Sequence, residues 1–153
     1  MTMKPPTNSV YSSIQELLKS QRLAVLATQA DGQPYASLVA FAASDNLKNM
    51  MFITPKDTRK FAQILSNPRV AVLINSGMNH PKDFERAISA TAVGRAQEAS
   101  ASEKDDLRDL FLVKHPNLQD FADDPKSVLV KITVQSIYLV KNFQEVYTLD
   151  LSG

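Results

Sequence analysis

Met50-Met51-Phe52-Ile53-Thr54-Pro55-Lys56-Asp57-Thr58-Arg59-Lys60-Phe61 runs an apolar strand straight into a helix, with hydroxyls and positive charge at the join. The first turn of a helix leaves backbone N–H groups free, and the positive end of its dipole favours an anion. Arg59 and Lys60 add charge-assisted hydrogen bonds of the kind that hold a phosphate. No glycine-rich loop precedes the helix, so the stretch is neither a Walker motif nor a dinucleotide fingerprint. A plainer reading stands beside the phosphate one. Thr54 as N-cap, Pro55 at the first helical position and Asp57 closing a Thr-x-x-Asp box make an ordinary helix start, with Arg59 and Lys60 in water.

Working outward, the residues on both sides read mainly as strands. Towards the N-terminus, Asn8 or Ser9 caps a helix with Val10, Ile14, Leu17 and Leu18 on one face, after a frayed start over residues 1–8. Leu23 to Thr28 and Pro34 to about Ala43 form a β-hairpin about Ala30-Asp31-Gly32-Gln33. Ser44-Asp45-Asn46 breaks the second strand before a third, Asn49 to Ile53. Towards the C-terminus, Phe61, Ile64 and Leu65 keep helical spacing until Asn67-Pro68, and Arg69 to Asn75 is a fourth strand. Ser76 to Phe84 is a loop, and Ala87 to Ala96 alternates as strand five. Ser102 with Asp105 caps a helix carrying Leu107, Leu110 and Phe111, which ends near His115-Pro116, where Pro116 starts a short turn. Val128 to Val134, Ile137 to Val140 and Val146 to Leu149 close the chain as three further strands. Hairpin-linked strands without a βαβ rhythm predict a mainly β fold: an antiparallel barrel with peripheral helices.

The 153 residues fit one domain with one core. Lys and Arg total 17 against 16 for Asp and Glu, so no global basic field exists to hold nucleic acid, and any charged ligand must be met locally. The absence of cysteine removes thiol catalysis, disulfides and cysteine-ligated metal, and permits a cytoplasmic location. Apolar runs such as Val70-Ala71-Val72-Leu73-Ile74 are too short to span a bilayer, and Met1-Thr2-Met3-Lys4-Pro5-Pro6 lacks the apolar core of a signal peptide. The expectation is a soluble cytoplasmic protein with no membrane partner.

Three joints taken together resemble the pyridoxamine 5′-phosphate oxidase-like family of FMN-binding split barrels. They are the hairpin with Asp31-Gly32-Gln33-Pro34 and Ser37-Leu38-Val39, the run Phe52-Ile53-Thr54 with Thr58-Arg59-Lys60, and Asn67-Pro68-Arg69-Val70 closing the helix between. The resemblance implies an antiparallel split barrel, and it favours the phosphate reading over the plain helix start. It also implies that Thr54, Thr58, Arg59 and Lys60 meet the phosphate and ribityl end of FMN, with Ile53 beside them. Ser37, Leu38 and Val39 would lie along the isoalloxazine and offer backbone groups to its polar edge, and Ser89 matches a position of polar flavin contact. The family places the flavin at a homodimer interface, so one subunit carries half a pocket. Ser37 stands where the true oxidases carry a basic residue, Ala42 where they carry a lysine for substrate phosphate, and Glu145-Val146-Tyr147-Thr148-Leu149-Asp150 replaces their arginine-rich C-terminus. A phosphate dianion without cationic partners is strongly unfavourable, which argues against pyridoxamine phosphate oxidase activity itself.

The implied function is an FMN-dependent oxidoreductase acting on a small molecule, and no side chain identifies itself as a catalytic acid or base. Two other readings remain open: a haem-binding or haem-degrading split barrel with His115 or His80 as axial ligand, and a non-enzymatic dimeric module. A deazaflavin coenzyme is the further cofactor alternative. His80 and His115 are the only histidines, both precede proline, and both read as loop residues. His80 with Asp83 lacks the further ligands a metal needs, so no metal site is expected. Glu103, Lys104, Asp105, Asp106, Arg108 and Asp109 read as a solvated helical face, and Met50-Met51 as strand packing.

Overall fold

A computed structural model of the chain describes residues 7–152, with the side chains of residues 7 and 8 outside the description. The expected frayed start therefore falls outside the described residues, except that the backbone of residues 7 and 8 is already helical. The first helix, α1, spans Thr7–Ser20, so Ser9 lies inside it and does not cap it. Strands β1 (Leu23–Ala30) and β2 (Gln33–Ala43) pair residue for residue through the expected hairpin. Asp31 and Gly32 take φ of 52° and 80° at its tip, the left-handed pair whose twist suits flanking strands. Strands β3 (Asn49–Pro55), β4 (Arg69–Asn75), β5 (Ser89–Glu98), β6 (Ser127–Lys141) and β7 (Glu145–Asp150) follow. All pairings are antiparallel in the order β3-β2-β1-β4-β5-β6-β7, and β3 returns to β6, so six strands close a barrel and β7 adds a seventh.

Expected as two strands, residues 128–140 belong to the single strand β6. Val93 faces Ser136 and Gly94 faces Val134, so Gln135 is left over as a β-bulge. The bulge shifts the buried set from Val128, Val130, Ile132 and Val134 to Ile137 and Leu139, which is why the alternation looked like a break. Gly94 is required here: a Cβ at this position would stand 2.2 Å from the Thr133 carbonyl oxygen.

Alternation sorts the strands into an interior and an outer face. Leu26, Phe41, Phe52, Val72, Ala92 and Val130 meet inside the barrel. Val10, Ile14, Leu17 and Leu18 of α1 join that cluster, as do Phe61 and Ile64 of the second helix, α2 (Arg59–Ser66). Each such aliphatic or aromatic side chain contributes about 1.5–3 kcal/mol when taken out of water. A smaller cluster lies outside the barrel, where Ala42, Met51, Ile53 and Leu129 pack against Leu107 and Phe111 of a later helix, α4 (Lys104–Lys114). Met50 and Met51 are both buried, on opposite faces, as strand packing requires.

Several helix details depart from expectation. The N-cap of α2 is Thr58, whose hydroxyl accepts from the Phe61 N–H, while Thr54 is a buried strand residue. The plain reading therefore misplaced the cap by a turn, because Thr54, Pro55 and Asp57 look like a cap but β3 runs on to pair with β6 through Pro55. At α4 the reach-back is made by Glu103, whose carboxylate accepts from the Ser100 N–H, so Ser102 and Asp105 do not form the expected box. Leu110 is 43 % exposed and lies off the buried face. Two short helices were not anticipated: α3 (Asp83–Arg86) inside the expected loop, and α5 (Gln119–Asp123) after the 3-10 turn at Pro116–Leu118. The charged face of α4 is partly tied down, since Glu103 accepts from Lys131 at 2.8 Å and Arg108 pairs with Asp123. Among the described residues no helix is long and apolar enough to cross a membrane.

Candidate functional site

Only Phe41, Ala42 and Ala43 of β2 pair with β3, opposite Phe52, Met51 and Met50. Beyond Phe41 the two strands part: β2 stays with β1 as far as Gln33, and β3 stays with β6 as far as Pro55. Between them opens a cavity of about 260 Å³, bounded by Leu38, Val39 and Ala40 on one side and Ile53, Thr54 and Pro55 on the other. Along this split β2 has a strand partner on one edge only, so the backbone groups of its other edge are available to a ligand. Phe111, Leu118 and Phe121 form the apolar end of the cavity and Lys60 its charged end.

Five of the nine predicted cofactor residues line this one space: Leu38, Val39, Ile53, Thr54 and Lys60. Thr58 joins them through its hydroxyl, 3.1 Å from that of Thr54 and 3.0 Å from the Pro55 carbonyl to which it donates. The short Thr54-to-Thr58 connection thus puts two hydroxyls and the first turn of α2 at the same end of the split. Arg59 is exposed and lies with its guanidinium 5.1 Å over the Tyr35 ring of β2. Among the described residues neither Arg59 nor Lys60 has a carboxylate partner. Ser37 stands on the same unpaired stretch of β2 but turns inward opposite Leu26, and its Oγ is buried without a hydrogen-bond partner among the described residues. Ser89 is not brought to the cavity. It begins β5 between Asn75 and Val140, with β1 and β4 lying between it and β2.

Phe111, Leu118 and Phe121 were missed as lining residues. Leu118 and Phe121 belong to the 3-10 turn and the short helix after Pro116, elements too brief for periodicity to reveal.

Neither histidine reaches the split. His115, expected in a loop, caps the C-terminus of α4 and is buried: its Nε2 lies 2.8 Å from the Phe41 carbonyl and its ring 4.8 Å from Phe111. Burial holds its pKa below the ordinary imidazole value, against the Phe41 hydrogen bond and with help from Lys114 and Arg22. Lys114 beside it donates to the Leu18 carbonyl at 2.7 Å and lies 3.8 Å over the Phe41 ring, and burial followed by Arg22 lowers its pKa to about 8. His80 is exposed, and its Nδ1 accepts from the Lys82 N–H, while Asp83 accepts from the Met78 and His80 N–H groups. Among the described residues no cluster of three metal-ligating side chains exists.

The outer wall away from α4 is apolar, and among the described residues no element covers it. Leu38, Val25, Leu73, Thr91 and Tyr138 stand directly opposite one another across five strands, and Ala36, Ala27, Ala71, Val93 and Ser136 form the next row. Leu38 is 66 % exposed, Leu73 and Tyr138 40 % each, and none of the first row belongs to either packed cluster. The wall meets the cavity at Leu38.

Comparison with known proteins agrees with this architecture. Similar solved structures include a haem-binding protein from Mycobacterium smegmatis (TM-score 0.83, 15 % identity, covering 97 % of this chain and 60 % of that one). General Stress Protein 26 from Bacillus anthracis aligns at TM-score 0.71 and 23 % identity, covering 93 % of this chain and 98 % of that one. A FAD-binding protein from Mesorhizobium loti aligns at TM-score 0.67 and 20 % identity, covering 84 % of this chain and 91 % of that one. At these identities the likeness is one of fold. No curated protein matches the sequence. Residues 12–141 match the family model described as pyridoxamine 5′-phosphate oxidase. With that match spanning most of the barrel, the chain belongs to the pyridoxamine 5′-phosphate oxidase family.

Proposed function

We propose that the protein is an FMN-binding flavoprotein, an oxidoreductase acting on a small molecule, with the cofactor held in the split between β2 and β3. The observation that carries this reading is the split itself: a gap with a half-unpaired strand along one side, apolar walls, and Lys60 and two hydroxyls at one end, with Arg59 next in the chain over Tyr35. A flavin is apolar along its rings, polar at one ring edge and anionic at its phosphate, which is the order of chemistries along this gap. Thr54, Thr58, Arg59 and Lys60 would hold the phosphate and ribityl end, Ile53 would pack beside them, and Ser37, Leu38 and Val39 would run along the rings. Bound there, the flavin would supply the redox chemistry, and the chain supplies binding, orientation and exclusion of water.

The same reading makes the protein a homodimer. An apolar wall several strands wide, meeting the cavity at Leu38, is the kind of surface that a second copy covers. Ser89 lies on that wall beside Val140 and so would serve a partner's cavity in place of its own. Ala42, buried under α4, leaves no cation where the true oxidases hold a substrate phosphate, so the substrate is taken to be another small molecule. The reading takes the protein as cytoplasmic, which a cysteine-free chain permits. A haem reading finds no histidine at the split, and a deazaflavin coenzyme would share its phosphate end.

Titration with FMN, riboflavin, a deazaflavin coenzyme and haem tests this. FMN should bind at least about tenfold more tightly than riboflavin, because a charge-assisted hydrogen bond contributes roughly 1.5–3 kcal/mol. Lys60→Ala and Arg59→Ala should remove most of that preference, whereas Lys104→Ala on the exposed face of α4 should leave it intact. Equal affinity for FMN and riboflavin would take the phosphate out of the site. Tighter binding of haem or deazaflavin than of FMN would overturn the choice of cofactor.

A further inference from the structure

Lys114, in the last turn of α4, reaches across to α1, where its Nζ donates to the Leu18 carbonyl at 2.7 Å and lies over the Phe41 ring. Leu18 is in the last turn of α1, where a helix leaves its carbonyls open, so this contact closes a helix end. It uses one of three ammonium donors. Among the described residues Lys114 has no carboxylate partner, and burial and then the nearby Arg22 both work against its charge. The half-buried cation is therefore uncompensated. Lys114 also lines a cavity of about 140 Å³ where the end of α1, the turn between β2 and β3 and the end of α4 meet. The walls are apolar, from Leu18, Ala42, Ala43, Leu47, Leu110 and Val113, and the cavity reaches the surface beside the exposed Leu110 and Val113. Asp45, the one carboxylate among the lining residues, is already paired with Lys19 at 3.6 Å on the exposed rim. The cavity shares no residue with the split, nor with either row of the bare outer wall.

We infer that this cavity is a second ligand site, which takes a small monocarboxylate with an apolar body and pairs its head with the Lys114 ammonium. An apolar cavity of about 150 Å³ is enough to hold benzene, which sets the size of the body. The carboxylate would supply the counter-charge that the fold does not, at a place where water screens the pair less than at the surface. A neutral compound of the same shape would gain from burial alone, and an inorganic anion would gain nothing from the apolar walls. The site does not depend on the flavin reading.

Ligand-observed NMR titrations with benzoate and the neutral benzamide test this, on the protein with FMN and without it. At about pH 7 benzoate should bind about tenfold more tightly than benzamide. In the parent that preference should shrink as pH rises to about 9.5, because the ammonium that holds the carboxylate gives up its proton from about 8 upward. The other charged or titratable groups around Lys114 are Arg22, Lys19 and Asp45, with His115 beside it, and side chains of these kinds ordinarily titrate outside that interval. Lys114→Met should bring benzoate down to the level of benzamide, and Leu110→Trp at the mouth should weaken both probes. The pH series uses the parent alone, so it decides the matter if Lys114→Met does not fold. Equal affinities for the two probes at about pH 7 would overturn the proposal, as would a preference that stays level to about pH 9.5 or survives Lys114→Met. So would probes that bind Leu110→Trp as tightly as the parent, or a preference lost on Lys60→Ala or on saturation with FMN, which would put benzoate in the split. Failure to bind FMN with the benzoate preference intact would count against the flavin reading only.

Discussion

Lys114 and His115 show how single residues link packing to pH. Lys114 keeps its charge only against burial, which lowers its pKa from 10.5 to about 8. Below about 8 the folded and unfolded chains both hold this proton, and above 10.5 neither does. Between those values the unfolded chain binds more protons, so this residue makes stability climb as pH rises. His115, held below its ordinary 6.5, acts in the same direction lower down: as pH falls past 6.5 the unfolded chain is protonated first and stability is lost. The parent should therefore gain melting temperature relative to Lys114→Met between pH 8 and 10, and lose it relative to His115→Gln as pH falls from 6.5. A pH series of thermal melts on the three proteins checks both arms, and parallel curves would refute them. The sequence showed both residues but not their burial, because His115 is enclosed by Phe41 from β2 and Phe111 from α4, contacts made only by the closed fold.

Among the elements, β6 carries the most structural constraint, since β3 and β7 share one of its edges and β5 occupies the other. The bulge at Gln135 makes this possible by keeping apolar residues inward on both halves, and Gly94 makes room for it. Gly94→Ala should cost about 2–3 kcal/mol, because the added methyl would meet the Thr133 carbonyl, which is backbone and cannot turn aside. Chemical denaturation should show this loss with an unchanged dependence on denaturant, whereas a loss below about 0.5 kcal/mol would mean that the bulge relaxes at little expense. Most strands were legible from period-two alternation and turn residues, as with Asp31-Gly32 and Asn67-Pro68. The bulge was not, since one unpaired residue looks the same as a break between strands. The parting of β2 from β3 was not legible either: Leu38 to Ala40 are ordinary strand residues, and only the preference of β3 for β6 opens the space beside them. The cations and hydroxyls of the candidate site could be read from sequence because they are local to one strand-to-helix turn. Its apolar end could not, because Phe111, Leu118 and Phe121 come from a segment more than fifty residues later.

At the scale of the whole molecule, the barrel has an interior filled by side chains, so a ligand of any size must be met on its outer face or at the split. Two regions of that outer face differ in kind. One is covered by α4 and is closed, with Ala42, Met51 and Phe111 packed together. The other, from Leu38 through Val25 and Leu73 to Tyr138, is apolar and has no described element upon it. In the flavin reading the two properties are coupled, since Leu38 borders both the bare wall and the split. Leu73 separates the functions experimentally, because it lies in the wall and lines no part of the split. Leu73→Glu should leave the folded subunit intact, its side chain being already 40 % exposed, and should yield a monomer by light scattering. The same variant should bind FMN at least about tenfold more weakly, although it touches none of the proposed cofactor residues, because half of the enclosure is gone. A Leu73→Glu protein that stays dimeric would place the subunit contact elsewhere, and a monomer that binds FMN as tightly as the parent would show that one subunit holds the cofactor alone.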